Sequence, residues 1–315
     1  QDTEQIHVFP NKNYGGSGGF TRGLIEAYRR KGQYTHVLFM DDDISFEPES
    51  LLRTIQFLKV LKPSEIPVFV GGQMLAEGAP TIQFESGACF VKGHVIGNNR
   101  GLDVSKRENL LLNMCQKKTE YNAWWYCCFP ISVVERYGLP LPFFIKGDDV
   151  EYGLRIQPQI VLTNGIGVWH MAFQDKYSPH LEYYIKRNEL IVSTLRDPAM
   201  SAYAAIWKLL KACGKAILVG DTRNIQFLLM AYQDFLKGPQ FLHATDEEQL
   251  NSSLLMLREK SAPCRLCALL TASIKLPPVF VQIIYRYEEL RKMYQTDGIA
   301  LTTLDFWETH LNIGE

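Results

Sequence analysis

The chain has 315 residues, of which 46% are hydrophobic, 12% aromatic and 21% charged, a composition that fits a globular protein with a sizeable core and excludes disordered or fibrous architectures. Thirty-three Lys and Arg face thirty-four Asp and Glu, a formal net charge of -1, so no global field draws the protein onto nucleic acid or an anionic membrane. Any anionic ligand has to be gripped locally, and at roughly 100–200 residues per domain the length predicts two domains.

The first half alternates short apolar runs with helix-period segments, the pattern of an α/β unit. Residues 6–9 read as a short strand, 11–17 as a turn-rich loop and 18–31 as a helix with apolar positions at Phe20, Leu24, Ala27 and Tyr28. An apolar strand over 36–40 ends abruptly in Asp41, Asp42 and Asp43, and a helix over 47–61 follows with Pro48 in its first turn. Residues 68–72 form another buried strand, 83–106 are β-like and glycine-rich, and 124–134 give a strand and a short helix. A helix starts near Val150, and strands over 160–162 and 166–169 close at His170.

After that point the composition shifts. Helix-period segments cover 183–195, 203–218, 223–236, 246–259 and 278–294, with breaks at Asp197-Pro198, Gly238-Pro239 and Pro277-Pro278. The expected organisation is an α/β domain over 1–200 and a helical domain over 201–315. A doubly wound nucleotide-binding unit opens on a strand and its binding loop, whereas here a second or third strand is reached by residue 6, so either the first βα unit is absent from this sequence or the fold is of another kind.

Three adjacent carboxylates repel one another and gain nothing in a fold unless a cation or a ribose hydroxyl sits among them. Ligands of open α/β sheets bind beyond the carboxyl ends of strands, where this cluster falls. Alternation along an extended segment sends Asp41 and Asp43 to one side, two oxygens suited to Mg²⁺ or Mn²⁺, with a solvated acidic loop as the plainer reading. Asp148 and Asp149 follow an apolar approach and a glycine and open a helix. One can cap that helix while the other acts as a general base. His170, at a strand end, suits either a ligand or a core histidine.

The loop from Asn13 through Gly15, Gly16, Gly18 and Gly19 to Gly23 joins a strand to a helix and suits close approach of a phosphate, although it matches neither the P-loop nor the dinucleotide fingerprint. Trp124 and Trp125 stand between the two acidic clusters. In a strand, one faces the core and the other a surface or cleft, where an aromatic face can meet a sugar.

Seven cysteines, an odd number, fit reduced thiols of a cytosolic chain better than a secreted disulfide scaffold. Cys264 and Cys267 have CxxC spacing but no second pair to complete a zinc site, so they read as helix-face cysteines, like Cys127 and Cys128 as core ones. No run approaches about 20 consecutive apolar residues, so no spanning helix is expected, and residues 1–4 do not read as a signal peptide.

Together these residues resemble family 2 inverting glycosyltransferases of the GT-A fold, most closely the bacterial galactofuranosyl- and rhamnosyltransferases. The resemblance covers residues 6–196 and rests on the loop from Asn13, Phe39-Met40-Asp41-Asp42-Asp43, Trp124-Trp125, the run from Lys146 through Asp148-Asp149 to Arg155, Val168-Trp169-His170 and Tyr183-Tyr184 through Arg187-Asn188. It implies a mixed α/β sheet flanked by helices, with Asp41, Asp43 and His170 holding Mn²⁺ or Mg²⁺ against the donor diphosphate. Asp42, with Asn13 and Gly18 of the loop, is implied at the donor. Asp149 looks like the general base, and Asp148, Trp124 and Trp125 shape the acceptor site, with Glu85-Ser86-Gly87 as a further acceptor contact.

The resemblance implies inverting transfer of galactofuranose from a UDP-sugar to a cell-surface polysaccharide or lipid-linked saccharide, with rhamnose transfer from a dTDP-sugar as the near alternative. Outside the family, Asp41-x-Asp43 with Gly147-Asp148-Asp149 also fits a haloacid-dehalogenase-like phosphatase, and a third reading is a non-catalytic sugar-binding subunit. Lys208, Lys211 and Lys215 beside Ile206, Leu209 and Leu210 read as a solvated bundle face or as a peripheral contact with an anionic bilayer. The expected location is cytoplasmic, on or near the inner face of the plasma membrane, with no nucleic-acid partner.

Overall fold

A computed structural model describes residues 5–115, 117–171, 178–258 and 264–313. Residues 1–4, read above for a leader, lie outside the described residues, as do the last residue of the helix expected over 246–259 and the last two of the helical domain.

The α/β part runs α1 (Gly15–Tyr28), β1 (His36–Phe39), β2 (Ile44–Ser45), α2 (Pro48–Val60), β3 (Val68–Ala76) and β4 (Ala79–Glu85), then the hairpin β5 (Ala88–Val91) and β6 (His94–Gly97). After α3 (Arg107–Asn113) come β7 (Cys127–Pro130), α4 (Val133–Tyr137), α5 (Asp148–Ile156) and β8 (Gln159–His170). The main sheet has the order β1-β7-β3-β8-β2, with β4 pairing β3. Among the described residues β3 and β8 alone pair in parallel, so the sheet is mixed, as expected for a GT-A-like fold. Strand β3 is buried from Val68 through Leu75, the signature of a central strand covered on both faces.

Four expectations need correction. Residues 6–9 are not a strand; Ile6 and Val8 are exposed, and a short apolar run with no buried face cannot hold strand geometry. Helix α1 starts at Gly15, inside the expected loop. The two strands expected over 160–169 are one strand, because Gly165 takes φ +87° and absorbs the apparent turn as an irregularity in the β3–β8 register. Pro277 and Pro278 do not break the last long helix but sit inside it. Burial of Leu276, Val279 and Ile283 on both sides of the prolines outweighs the lost backbone hydrogen bonds.

The helical part comprises α6 (Leu181–Arg196), α7 (Ala202–Val219), α8 (Thr222–Phe235), α9 (Gln240–Ala244), α10 (Glu247–Arg258), α11 (Arg265–Ala300) and α12 (Leu304–Leu311). Helix α6 packs on α8, and α11 lies across α7, α8 and α6. One apolar cluster runs from Val70 and Met74 in the sheet through Leu190 and Ile191 to Leu228, Tyr232 and Leu290. It crosses the boundary expected near residue 200 without interruption. Helix α12 returns to the α/β part, where buried Trp307 donates its indole N–H to the Pro140 carbonyl at 2.8 Å.

Candidate active site

The chain turns directly after β1 instead of continuing as a strand, so Asp41 and Asp43 do not share a side by alternation. They converge nonetheless, because β2 starts at Ile44 opposite His170, the last residue of β8. His170 Nε2 lies 3.2 Å from Asp43 Oδ1 and 3.8 Å from Asp41 Oδ2. All three ligand atoms fall within 4.8 Å of one another. His170 is buried, and its Nδ1 stands 2.5 Å from the Met171 carbonyl oxygen. A carbonyl only accepts, so Nδ1 carries the proton and Nε2 turns toward the two carboxylates. Burial raises the Asp41 carboxyl above its ordinary range, while His170 opposes that shift. Two oxygen donors and one imidazole suit Mn²⁺ or Mg²⁺, and a cation there relieves the crowding of the acids.

The acidic pair sits across the cavity at the start of α5. Before it, Phe144, Lys146 and Gly147 all have positive φ, at 66°, 68° and 88°, a contorted approach that needs external support. Helix α6 supplies it. Asn188 donates from Nδ2 to the carbonyls of Phe143, Ile145 and Lys146 at 3.2, 3.0 and 2.7 Å, and buried Arg187 donates to Phe143 at 2.9 Å. From the other side the Ser17 N–H donates to the Phe144 carbonyl at 3.3 Å. Gly15 is required there, since a Cβ would collide with that same carbonyl oxygen and its φ is +67°.

The two acids are not equivalent. Asp148 is buried and accepts a hydrogen bond from Ser17 Oγ at 2.9 Å. Asp149 accepts from the Val150 N–H at 2.8 Å. Burial and then the neighbouring Asp148 push the Asp149 carboxyl up to about 8. Such a group is a strong base when ionised.

Two cavities meet at Asp149. One, of about 710 Å³, is lined by Asp41, Asp42, Asp43, His170, both tryptophans and both acids of the pair. The other, of about 420 Å³, is lined by Glu85, Tyr121, Trp125, Lys146 and Asp149 among others. Trp125, Lys146 and Asp149 belong to both walls.

The tryptophans precede β7 in a turn and not in a strand, and both are largely buried, yet both line the larger cavity, the cleft expected for at least one of them. Trp124 packs edge-on against Phe20, Phe39 and Tyr152. Trp125 donates to the Gly72 carbonyl at 2.9 Å. Trp125 lines the smaller cavity as well. Asn13 and Gly18 line neither cavity. Asn13 Oδ1 instead accepts from the Gly15 N–H at 3.1 Å, and Gly18 is buried against Tyr14. Gly16 and Phe20 are the residues of that loop on the wall. Glu85 is buried, its carboxyl raised to about 7 by burial against the opposing pull of Arg100. Sequence reading missed Lys146 and Asn188 as individual site residues. Their signal was the stretch of unlike turn residues between apolar Phe143 and the acids, which needs an anchor from elsewhere.

No family model matches the chain. It is similar to the galactofuranosyltransferase GlfT2 of Mycolicibacterium smegmatis, 31% identical over 294 residues that take in 87% of this chain and 44% of that protein. It is likewise similar to the galactofuranosyltransferase GlfT2 of Mycobacterium tuberculosis, 32% identical over 267 residues, 78% of this chain and 41% of that one. The chain thus spans less than half the length of the curated relatives it matches. The resemblance to galactofuranosyltransferases drawn from the motifs extends over most of the chain.

Proposed function

We propose that the chain is a metal-dependent inverting glycosyltransferase that moves galactofuranose from a UDP-sugar to a saccharide or lipid-linked saccharide acceptor. One observation carries this reading: Asp149 stands on the wall shared by two cavities, one of which holds the Asp41, Asp43 and His170 cluster. The cluster side suits the anionic donor, and the Glu85 side the acceptor. The relatives' names support the sugar.

Asp41, Asp43 and His170 would hold a divalent cation, which when bound neutralises charge on a diphosphate leaving group. The chain's own residues do the rest. Ionised Asp149 accepts the proton of the acceptor hydroxyl while that oxygen bonds to the anomeric carbon. The bond from that carbon to the diphosphate oxygen breaks on the opposite face, so configuration inverts. Asp148 stays bonded to Ser17 and keeps its neighbour basic, and Trp125 forms part of the wall common to the two cavities.

Incubation with UDP-galactofuranose, Mn²⁺ and a galactan acceptor should give transfer that EDTA abolishes. Transfer from dTDP-rhamnose alone would move the donor assignment, and release of phosphate from a monoester with no sugar transfer would contradict the reading.

Membrane contact is part of the proposal. Helix α11, 36 residues, is long and apolar enough to cross a bilayer by length and composition. The expectation of no such segment overlooked it because Lys275 and small polar residues interrupt the run. Ala268, Ala272, Leu276, Val279 and Ile283 pack inward at helical spacing, while Leu266, Leu270, Ile274 and Tyr285 are exposed. One buried stripe and one bare stripe favour a helix lying on a bilayer, at the cytoplasmic face where the donor is soluble.

A further inference from the structure

Beside the acceptor-side cavity lies another, of about 280 Å³, between α6, α7 and α8. Lys186 of α6 and Lys208, Lys211 and Lys215 of α7 line it, together with His94 and Glu189. The α7 lysines recur at steps of three and four residues and therefore share one face of that helix. Glu182 is the other acid on its wall, so four ammonium groups face two carboxylates, a surplus of two positive charges.

Glu189 is already shared. Its oxygens lie 2.8 Å from Lys186 Nζ, 2.8 Å from His94 Nδ1 and 3.5 Å from Lys208 Nζ. Among the described residues no ion pair reaches Lys211 or Lys215. The uncompensated field is felt at His94. Burial lowers its pKa first, and Lys208, Lys186 and Lys211 lower it further against the pull of Glu189.

This cavity adjoins the one that contains Asp149 and Glu85, since His94, Lys186 and Glu189 line both. A molecule whose hydroxyl reaches Asp149 would thus have its far end beside these lysines. Clustered lysine ammoniums act as point charges that suit phosphate, and a surplus of two matches a dianion better than a single carboxylate. The neighbouring surface of α7 exposes Trp207, Leu210 and Leu218, an apolar rim for a chain attached to such a group.

We propose that the lysine-lined cavity binds a phosphate or diphosphate ester carried by the acceptor, and so fixes the acceptor's non-reacting end. This rests on the acceptor side assigned above, but its first test needs no transfer activity. Calorimetric titration of the full chain with inorganic pyrophosphate in EDTA should show saturable binding, weakened about tenfold or more in a folded K211A/K215A variant. No binding, or equal binding in that variant, overturns the proposal.

A second measurement reads the acceptor directly. An acceptor bearing a diphosphate should have a lower KM than the same saccharide without it, and K211A/K215A should erase that advantage. An advantage unchanged in the variant overturns the proposal. Phosphatidylglycerol vesicles separate the sources. Displacement of the protein from them by pyrophosphate assigns the same lysines to lipid headgroups, whereas vesicle binding without pyrophosphate binding overturns the site. Absence of all transfer, with pyrophosphate bound as expected, would instead count against the transferase reading.

Discussion

Asp149 is held in conflicting surroundings: helix N-terminal amides favour its charge, while burial and Asp148 oppose it and prevail. The sign of the consequence follows. A carboxyl whose folded pKa is raised to about 8, from about 3.9 in the unfolded chain, favours the folded state fully below about pH 4. That stabilisation is lost as pH rises toward 8. Asp149→Asn should therefore flatten the fall of Tm with pH between about 4 and 8, and equal slopes in thermal melts would contradict the assigned environment. The same ionisation should appear in catalysis as kcat/KM rising with pH to a midpoint near 8. Asp41, Asp43, Asp148, Asp149 and His170 were all legible in the sequence, because acids at strand and helix ends are costly without a task. Their mutual distances were not. The convergence of Asp41 and Asp43 on His170 depends on the antiparallel pairing of β2 with β8, a long-range contact that no local spacing encodes. Asn13 and Gly18 illustrate the converse, since a glycine-rich loop signals close approach without saying to what; here the approach is to the Phe144 carbonyl and to Tyr14.

Helix α6 positions the acidic pair of α5 through one side chain. Asn188 donates to three carbonyls of a segment with positive φ at Phe144, Lys146 and Gly147, and Arg187 shares only the Phe143 carbonyl with it. Asn188→Ala should lower stability by about 2 kcal/mol or more, the cost of leaving buried acceptors unpaired. It should also lower kcat/KM by on the order of a hundredfold, because a small displacement of a base is expensive. A fall in Tm with full activity at low temperature would show that the segment holds its shape unaided. Most elements were readable from periodicity, including α2, α6, α7 and α8. The exceptions have physical causes. Gly165 merged two strands through a bulge, and in α11 tertiary burial overrode two prolines, each of which costs about 3 kcal/mol in a bare helix.

At the scale of the whole molecule, a single apolar cluster links the sheet to α7, α8 and α11, so the helical part is not an appendage that hangs free of the site. It brings Lys208, Lys211 and Lys215 to the edge of the acceptor-side cavity and exposes the apolar stripe of α11. Leu270→Asp with Ile274→Asp, both exposed, should abolish co-sedimentation with phosphatidylglycerol vesicles while shifting stability by no more than about 0.5 kcal/mol each. Unchanged sedimentation would remove the membrane contact. Near-neutral net charge had foretold none of this, since a local surplus on one helix face is invisible in a sum over 315 residues.

The central claim is that Asp149 activates the acceptor hydroxyl across from a cation-holding cluster. Single-turnover transfer from UDP-galactofuranose in Mn²⁺, compared between the unaltered chain and Asp149→Asn, tests it most directly. The rate of the variant should fall by about 10²–10⁴-fold while its affinity for UDP in Mn²⁺ stays within a few fold. Transfer at an undiminished rate, or loss of activity that tracks loss of UDP binding, would contradict the account.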